Sequence, residues 1–280
     1  MPQVIDVSDP GDPRLDDFRD LTTADRRPDR PGGRGLVIAE GVVVVQRMLR
    51  SPYPVRALLG VRRRIDALAS DLAGYSDAGL PCYVTSADVM ADVVGFHLNR
   101  GVLAVADRAP APDLAALTHS AKLLCVLEGV GDHENLGSIF RNAAALGVNG
   151  VLLGPGCSDP LYRRAVRVSM GHVLRVPFGT LTDWPADLHR LRADGFRVLA
   201  LTPSADAVPL HEAVSPGQRT AVLLGSEGPG LTEEALAAAD ERVRIPMSGD
   251  VDSLNVATAA AIALYSAALS TVSFHAVTTS

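Results

Sequence analysis

From residue 36 onward, short apolar runs alternate with stretches of helical periodicity. The runs at 36–39, 57–61, 81–84 and 101–106 read as strands. Between them, 40–50 places Val44, Val45, Met48 and Leu49 at helical spacing. The stretch 64–73 reads as a second helix, and Ser86 stands where a third would be capped. This pattern predicts a small α/β domain over 35–107. Residues 1–34 are rich in Asp, Pro, Arg and Gly with little periodicity, so they are expected to form a mobile lead segment, with one short helix at 12–18. Pro110 and Pro112 mark a linker over 108–120.

A second alternation fills 121–280. Its strands fall at 123–127, 150–153, 173–176, 197–201, 221–224 and 242–245. Its helices fall at 136–146, 160–169, 186–194, 233–239 and 254–269. Strands alternating with helices imply a mostly parallel sheet covered on both faces. Ligands in such sheets bind beyond the carboxyl ends of the strands, so the loops at those ends are where chemistry is expected.

Composition narrows the picture. The 280 residues carry a net charge of −6, and Lys122 is the only lysine against a background of arginine. An acidic chain that binds nucleic acid must do so through local basic patches or a surface built from two subunits. Cys82, Cys125 and Cys157 have no metal or disulfide spacing. His133 and His172 lack ligand partners at metal spacing, so no metal is expected. The uncharged run from Ser253 has the length of a membrane span. It is mostly Ala, Ser and Thr without basic flanks, which favours a buried helix. The acidic, Pro-rich start does not resemble a signal peptide, so a cytoplasmic protein is expected.

Three strand-end loops stand out. The first, 128–135, is Gly-rich and acidic, with Asn135 where a helix N-cap belongs. Leu136, Phe140 and Ala143 form the buried stripe of the helix that follows, and Arg141 points away from it. The second, 225–232, surrounds Glu227 with three glycines and a proline, and Thr232 is placed to cap the next helix. Glycine there permits close approach of backbone to a ligand, yet the spacing fits neither a dinucleotide fingerprint nor a P-loop. The third, 245–255, is polar and ends at Ser253, the expected cap, with Asn255 just inside an Ala-rich helix.

Taken together, these loops resemble the motifs of the SpoU-type ribose methyltransferases, members of the knotted methyltransferase superfamily. The first motif matches Asn135, Gly137 and Arg141. The second matches Gly225, Ser226, Glu227 and Gly230. The third matches Ile245, Pro246 and Met247, then Ser253, Leu254 and Asn255. Ala39-Glu40-Gly41 and 97–104 are similar to pieces of the small RNA-binding domain that such enzymes often carry. The resemblance implies a trefoil-knotted, mostly parallel sheet at the C-terminal end, a homodimer, and S-adenosylmethionine as the methyl donor for a ribose 2′-hydroxyl of RNA.

The resemblance also implies roles for individual residues. Arg141 would be the key catalytic residue. It would act either as the general base or, since an arginine keeps its proton in nearly all protein settings, as a cation that holds the adjacent phosphate and polarises the hydroxyl. Asn135, Ser253 and Asn255 would orient the hydroxyl and the loops, and Glu227 would brace Arg141 or its own loop. Thr202, Leu224, Gly225, Ser226, Gly228, Ile245, Pro246, Met247 and Leu254 would hold the donor. Arg163, Arg164 and Arg167, with Arg100, form the expected RNA patch. The separate front domain favours ribosomal RNA. Transfer RNA, or an assembly factor that binds RNA without catalysis, are the alternatives.

Overall fold

The computed structural model describes residues 2–19, 21, 35–75, 79–249 and 251–271. The chain forms two compact units. One holds residues 1–110 and, unexpectedly, 161–175; the other holds 111–160 and 176–280.

In the first unit, strands β1 (Gln3–Asp6), β2 (Val37–Glu40), β3 (Val55–Gly60), β4 (Pro81–Val84) and β5 (Val102–Ala106) form one sheet, ordered β1-β4-β3-β5-β2. β1, β4 and β3 are parallel, whereas β5 runs antiparallel to β3 and β2. Helices α1 (Val42–Leu49), α2 (Arg62–Asp66), α3 (Ala69–Ala73) and α4 (Ala87–Val94) connect the strands. Ser86 caps α4 as expected, its hydroxyl accepting from the Val89 amide at 3.2 Å.

The start of the chain departs from expectation. Residues 3–6 form an edge strand in register with β4. The 3-10 turn Pro13–Phe18 drives Leu15 and Phe18 fully into the core, against Met90, Val93 and Leu103. Burial of two large apolar side chains offsets the entropy of ordering this polar segment. The remainder of the expected lead segment, residues 1, 20 and 22–34, lies outside the described residues.

In the second unit, β6 (Leu123–Leu127), β7 (Gly150–Leu153), β8 (Phe178–Thr180), β9 (Arg197–Leu201), β10 (Val208–Pro209), β11 (Thr220–Leu224) and β12 (Glu241–Arg244) form a sheet ordered β10-β12-β9-β11-β6-β7-β8. Every pairing in it is parallel. Helices α5 (Leu114–His119), α6 (His133–Ala145), α8 (Ala186–Ala193), α9 (Leu210–Ala213), α10 (Glu233–Ala238) and α11 (Val256–Thr271) flank it, and α7 (Arg163–Val168) follows β7 in the chain. The central strands β6, β9 and β11 are almost entirely buried, which is why they read as unbroken apolar runs. Leu124, Val126, Val198, Ala221 and Leu223 form the heart of one core face.

Two expectations are corrected here. The linker 108–120 contains helix α5, which sends Leu117 into the core. The run 173–176 is not a strand: His172–Leu174 is a 3-10 turn, and β8 begins at Phe178. Val173 and Leu174 are buried, and a short apolar run satisfies either geometry equally well.

The segment 161–175 belongs to the first unit through specific contacts. α7 packs on β2 through Ala165 and Val166. Gly171 (φ +81°) lies so close to α1 that a Cβ there would meet Val44 at 3.0 Å. The Arg47 guanidinium donates to the Met170 carbonyl. Arg163 stacks over Phe96 at 4.8 Å and meets Glu40 at 3.6 Å.

Candidate active site

The three loops singled out from the sequence all leave carboxyl ends of strands in the second unit: β6, β11 and β12. β6 and β11 are neighbours in the sheet, so their loops emerge side by side. The Glu128 amide donates to the Leu224 carbonyl at 2.9 Å, extending the β6–β11 ladder into the loops.

The β11 loop folds back on itself. Ser226 and Gly230 pair across it, the Gly230 amide donating to the Ser226 carbonyl at 3.1 Å. A Cβ at Gly225 would come within 2.3 Å of the Gly230 carbonyl carbon and 2.4 Å of the Leu231 nitrogen, so only glycine closes this turn. Gly228 is different: its φ of +85° requires glycine, and no neighbour stands within 4 Å of a Cβ placed there.

Beside this loop lies a cavity of about 600 Å³. Of the nine expected donor-binding residues, Thr202, Leu224, Gly225, Ser226, Gly228, Ile245, Met247 and Leu254 line it. Pro246 is not among its lining residues. Glu227, Ser253 and Asn255 also reach the wall, whereas Asn135 and Arg141 do not. Leu201, Pro203 and Leu236 complete apolar parts of the wall that sequence reasoning missed. Nothing in the residue types of β9 or α10 distinguishes these from ordinary core positions.

Two of the three helix caps expected at the site are corrected, and the corrections explain the asparagines. Asp132, not Asn135, caps α6: its carboxylate accepts from the Glu134 and Asn135 amides at 2.9 and 2.8 Å. Asn255, not Ser253, caps α11, its Oδ1 accepting from the Ala257 and Thr258 amides at 3.0 and 3.2 Å. With Asp132 doing the capping, the Asn135 side chain is released for a tertiary contact. The Asn255 amide donates to Asn135 Oδ1 and to Glu227 Oε1, both at 2.8 Å. Three residues from three separate loops thus meet around one amide group.

Glu227 also accepts from the Val256 amide at 3.4 Å, so it braces the start of α11. It does not brace Arg141. That arginine sits on the exposed side of α6, and no ion pair joins it to a carboxylate among the described residues. Its neighbour Asn142 faces the other way and donates to the Ala257 carbonyl at 3.0 Å, tying α6 to α11.

One buried carboxylate beside the site was missed. Glu128 is 4% exposed and accepts from Trp184 Nε1 at 2.8 Å, the Thr232 amide at 2.9 Å and the Thr232 hydroxyl at 2.8 Å. Its only signal in the sequence is an acidic residue directly after a fully apolar strand. Thr232 caps α10 as expected, through the Ala235 amide at 3.2 Å.

The expected RNA-binding arginines all belong to the first unit. Arg163 is half-buried; burial pushes its pKa below the ordinary arginine value, and Glu40 opposes that shift. It stacks on Phe96 and meets Glu40 while part of its side chain stays exposed. Arg100 is half-buried, with Nη1 at 3.5 Å from the Glu40 carbonyl. Arg164 is exposed and Arg167 half-buried. Among the described residues, no cluster of His, Cys, Asp and Glu could hold a metal, and no helix is long and apolar enough to cross a membrane.

Comparison with known proteins identifies relatives of the whole chain. An uncharacterized tRNA/rRNA methyltransferase of Mycobacterium tuberculosis is 61% identical over 264 residues, 94% of this chain and 91% of that protein. A 23S rRNA (guanosine(2553)-2′-O)-methyltransferase of Bacillus subtilis is 29% identical over 228 residues, 81% of this chain and 86% of its own. The crystal structure of an AdoMet-bound rRNA methyltransferase from Sinorhizobium meliloti matches with a TM-score of 0.76 at 26% identity, over 95% of this chain and 97% of that one. The model of the SpoU rRNA Methylase family matches residues 122–265, and the chain belongs to that family.

Proposed function

We propose that this RNA methyltransferase transfers a methyl group from S-adenosylmethionine to a ribose 2′-hydroxyl, with ribosomal RNA as the substrate. The observation that carries the proposal is the meeting of Asn135, Glu227 and Asn255 at the edge of a cavity large enough for the donor. The cavity volume is within the range of small-ligand sites, ~300–1,000 Å³. Its wall combines the backbone of a glycine loop with the apolar side chains Leu201, Ile245, Met247 and Leu254. That combination suits a flat apolar base joined to polar groups. The open space at Gly228 and Gly230 leaves the backbone accessible. When bound, the donor supplies an activated methyl group on a sulfonium.

The chain's own contribution is then orientation. Asn255 spends its amide protons on Asn135 and Glu227, which locks three loops into one arrangement. The Asn135 amide protons are left to meet a substrate oxygen. Arg141, exposed and cationic, would grip the adjacent phosphate and polarise the hydroxyl, whose proton leaves to water. Positioning of this kind can supply ~7–11 kcal/mol of rate enhancement. The relative from Bacillus subtilis, named for 2′-O-methylation of 23S rRNA, supports both the acceptor and the RNA class.

A homodimer is part of the same reading. α11 carries no charged residue and exposes Ile262, Tyr265 and Leu269 along one stripe, at 40%, 53% and 59%. A second copy of the chain would cover it. A knotted C-terminal end and a cytoplasmic location belong to this proposal as well.

The test is to incubate purified protein with labelled S-adenosylmethionine and, separately, unmodified ribosomal and transfer RNA, then analyse nucleosides by mass spectrometry. A 2′-O-methyl nucleoside from ribosomal RNA, lost with Arg141→Ala, is the expected result. Base methylation would overturn the acceptor, and product from transfer RNA alone would overturn the RNA class. The absence of both transfer and donor binding would leave an assembly factor as the surviving reading. Sedimentation of the same sample at the mass of one chain, 29.3 kDa, would remove the dimer.

A further inference from the structure

We propose that Glu128 is a positioning residue for the methyl donor, acting through the Gly225–Thr232 loop; this rests on the donor-site reading above. The argument begins with its burial. A carboxylate that is 4% exposed has lost nearly all contact with water, and its desolvation must be offset by bonds from the protein. No cation answers it among the described residues. Instead, Trp184 Nε1, the Thr232 amide and the Thr232 hydroxyl all donate to it within 2.9 Å. Hydrogen bonds to an ionised acceptor are roughly twice as strong as neutral ones.

The location of those donors gives the bonds their function. Thr232 is the last residue of the loop that lines the cavity and the cap of α10. The opposite end of that loop, at Leu224, is held by the Glu128 backbone amide at 2.9 Å. One residue therefore grips both ends of the loop: its main chain holds the entry and its side chain holds the exit. The next residue, Gly129 (φ +70°), lets the loop come close enough that a Cβ there would stand 3.0 Å from Ser226 Cβ. The same strand end leads through Asp132 into α6 and Asn135. Glu128 thus couples the donor-holding loop to the helix that presents Asn135 and Arg141.

Glu128 itself does not line the cavity, so its effect should appear in donor affinity and not in direct chemistry. Glu128→Gln keeps the shape but replaces one acceptor oxygen with a donor that faces other donors. Donor affinity, measured calorimetrically with S-adenosylmethionine on the full chain, is expected to fall about tenfold. RNA affinity should be unchanged. Thr232→Val should weaken donor binding too, and the double variant should be no worse than the single ones, because both changes break the same link. Trp184→Phe, which removes a donor outside the loop, should alter donor affinity much less.

The outcomes separate cleanly. If the native chain does not bind S-adenosylmethionine, the donor-site reading fails. If the native chain binds it and Glu128→Gln binds equally well, the role of Glu128 fails while the site stands. If Glu128→Gln weakens donor and RNA binding alike and lowers the melting temperature in proportion, Glu128 is a fold element only, and the proposal is overturned.

Discussion

Glu40 and Glu128 sit in different units under nearly the same local rules. Each stands at the end of a buried strand, is followed by a glycine at positive φ, and is almost fully buried. Their surroundings differ. Glu40 is met by cations, Arg163 at 3.6 Å and Arg100 at 4.0 Å, while its Oε2 receives no hydrogen bond. Glu128 is met by three neutral donors in good geometry. The same dipeptide recurs at Glu227-Gly228, set off from the end of β11 by Gly225 and Ser226, and there the glutamate is exposed and faces the cavity. At Glu40 and Glu128 the strand–Glu–Gly pattern therefore fixes a place in the fold, and the role is set by the groups that arrive from elsewhere in the chain.

The largest effect should come from the charge pair. Glu40→Ala leaves the Arg163 guanidinium buried without its partner, at a cost of about 3 kcal/mol. Chemical denaturation should register this loss, and adding Arg163→Met should recover most of it. A loss below about 1 kcal/mol would show that the two charges are not energetically linked. Next comes Asn255→Ala, which removes the α11 cap and the bonds to Asn135 and Glu227. The cap alone is worth about 1 kcal/mol. Asn255→Ser should restore that stability, because serine also caps, without restoring methyl transfer. Equal recovery of both would mean that the asparagine acts only as a cap. The smallest change in stability belongs to Glu227→Ala, about 0.5 kcal/mol at an exposed position. Methyl transfer by this variant should still fall at least tenfold, by the same assay that tests the proposed function. Full activity would remove Glu227 from the site.

The parallel sheet was legible because its strands are buried on both faces. β6, β7 and β9 have the boundaries that their apolar runs suggest. Caps were legible where a single candidate stood before a helix, as at Ser86 and Thr232. They were misread where candidates crowd together. Asp132 and Asn135, or Ser253 and Asn255, are equally plausible to local rules, and the choice depends on which side chain is claimed by a tertiary hydrogen bond. β1 was invisible because its pairing partner, β4, is 78 residues away and its own residues do not alternate. Of the cavity wall, the loop residues were foreseen and the apolar residues from β9 and α10 were not. The packing of Arg163 on Glu40 and Phe96 was not legible, because nothing nearby in the chain announces either partner.

The assignment of residues 161–175 to the first unit has a consequence for any attempt to cut or exchange the parts of this molecule. A fragment that stops at residue 110 is not the front unit. It carries Glu40 without Arg163 and a β2 surface stripped of α7. A fragment that starts at residue 111 carries the orphaned helix instead. The front portion therefore cannot be traded between relatives as a cassette defined by sequence boundaries, because part of it is encoded within the catalytic portion. Any hybrid would have to take both stretches from the same parent, and substitutions at Glu40 and at Arg163 would be inherited as a pair.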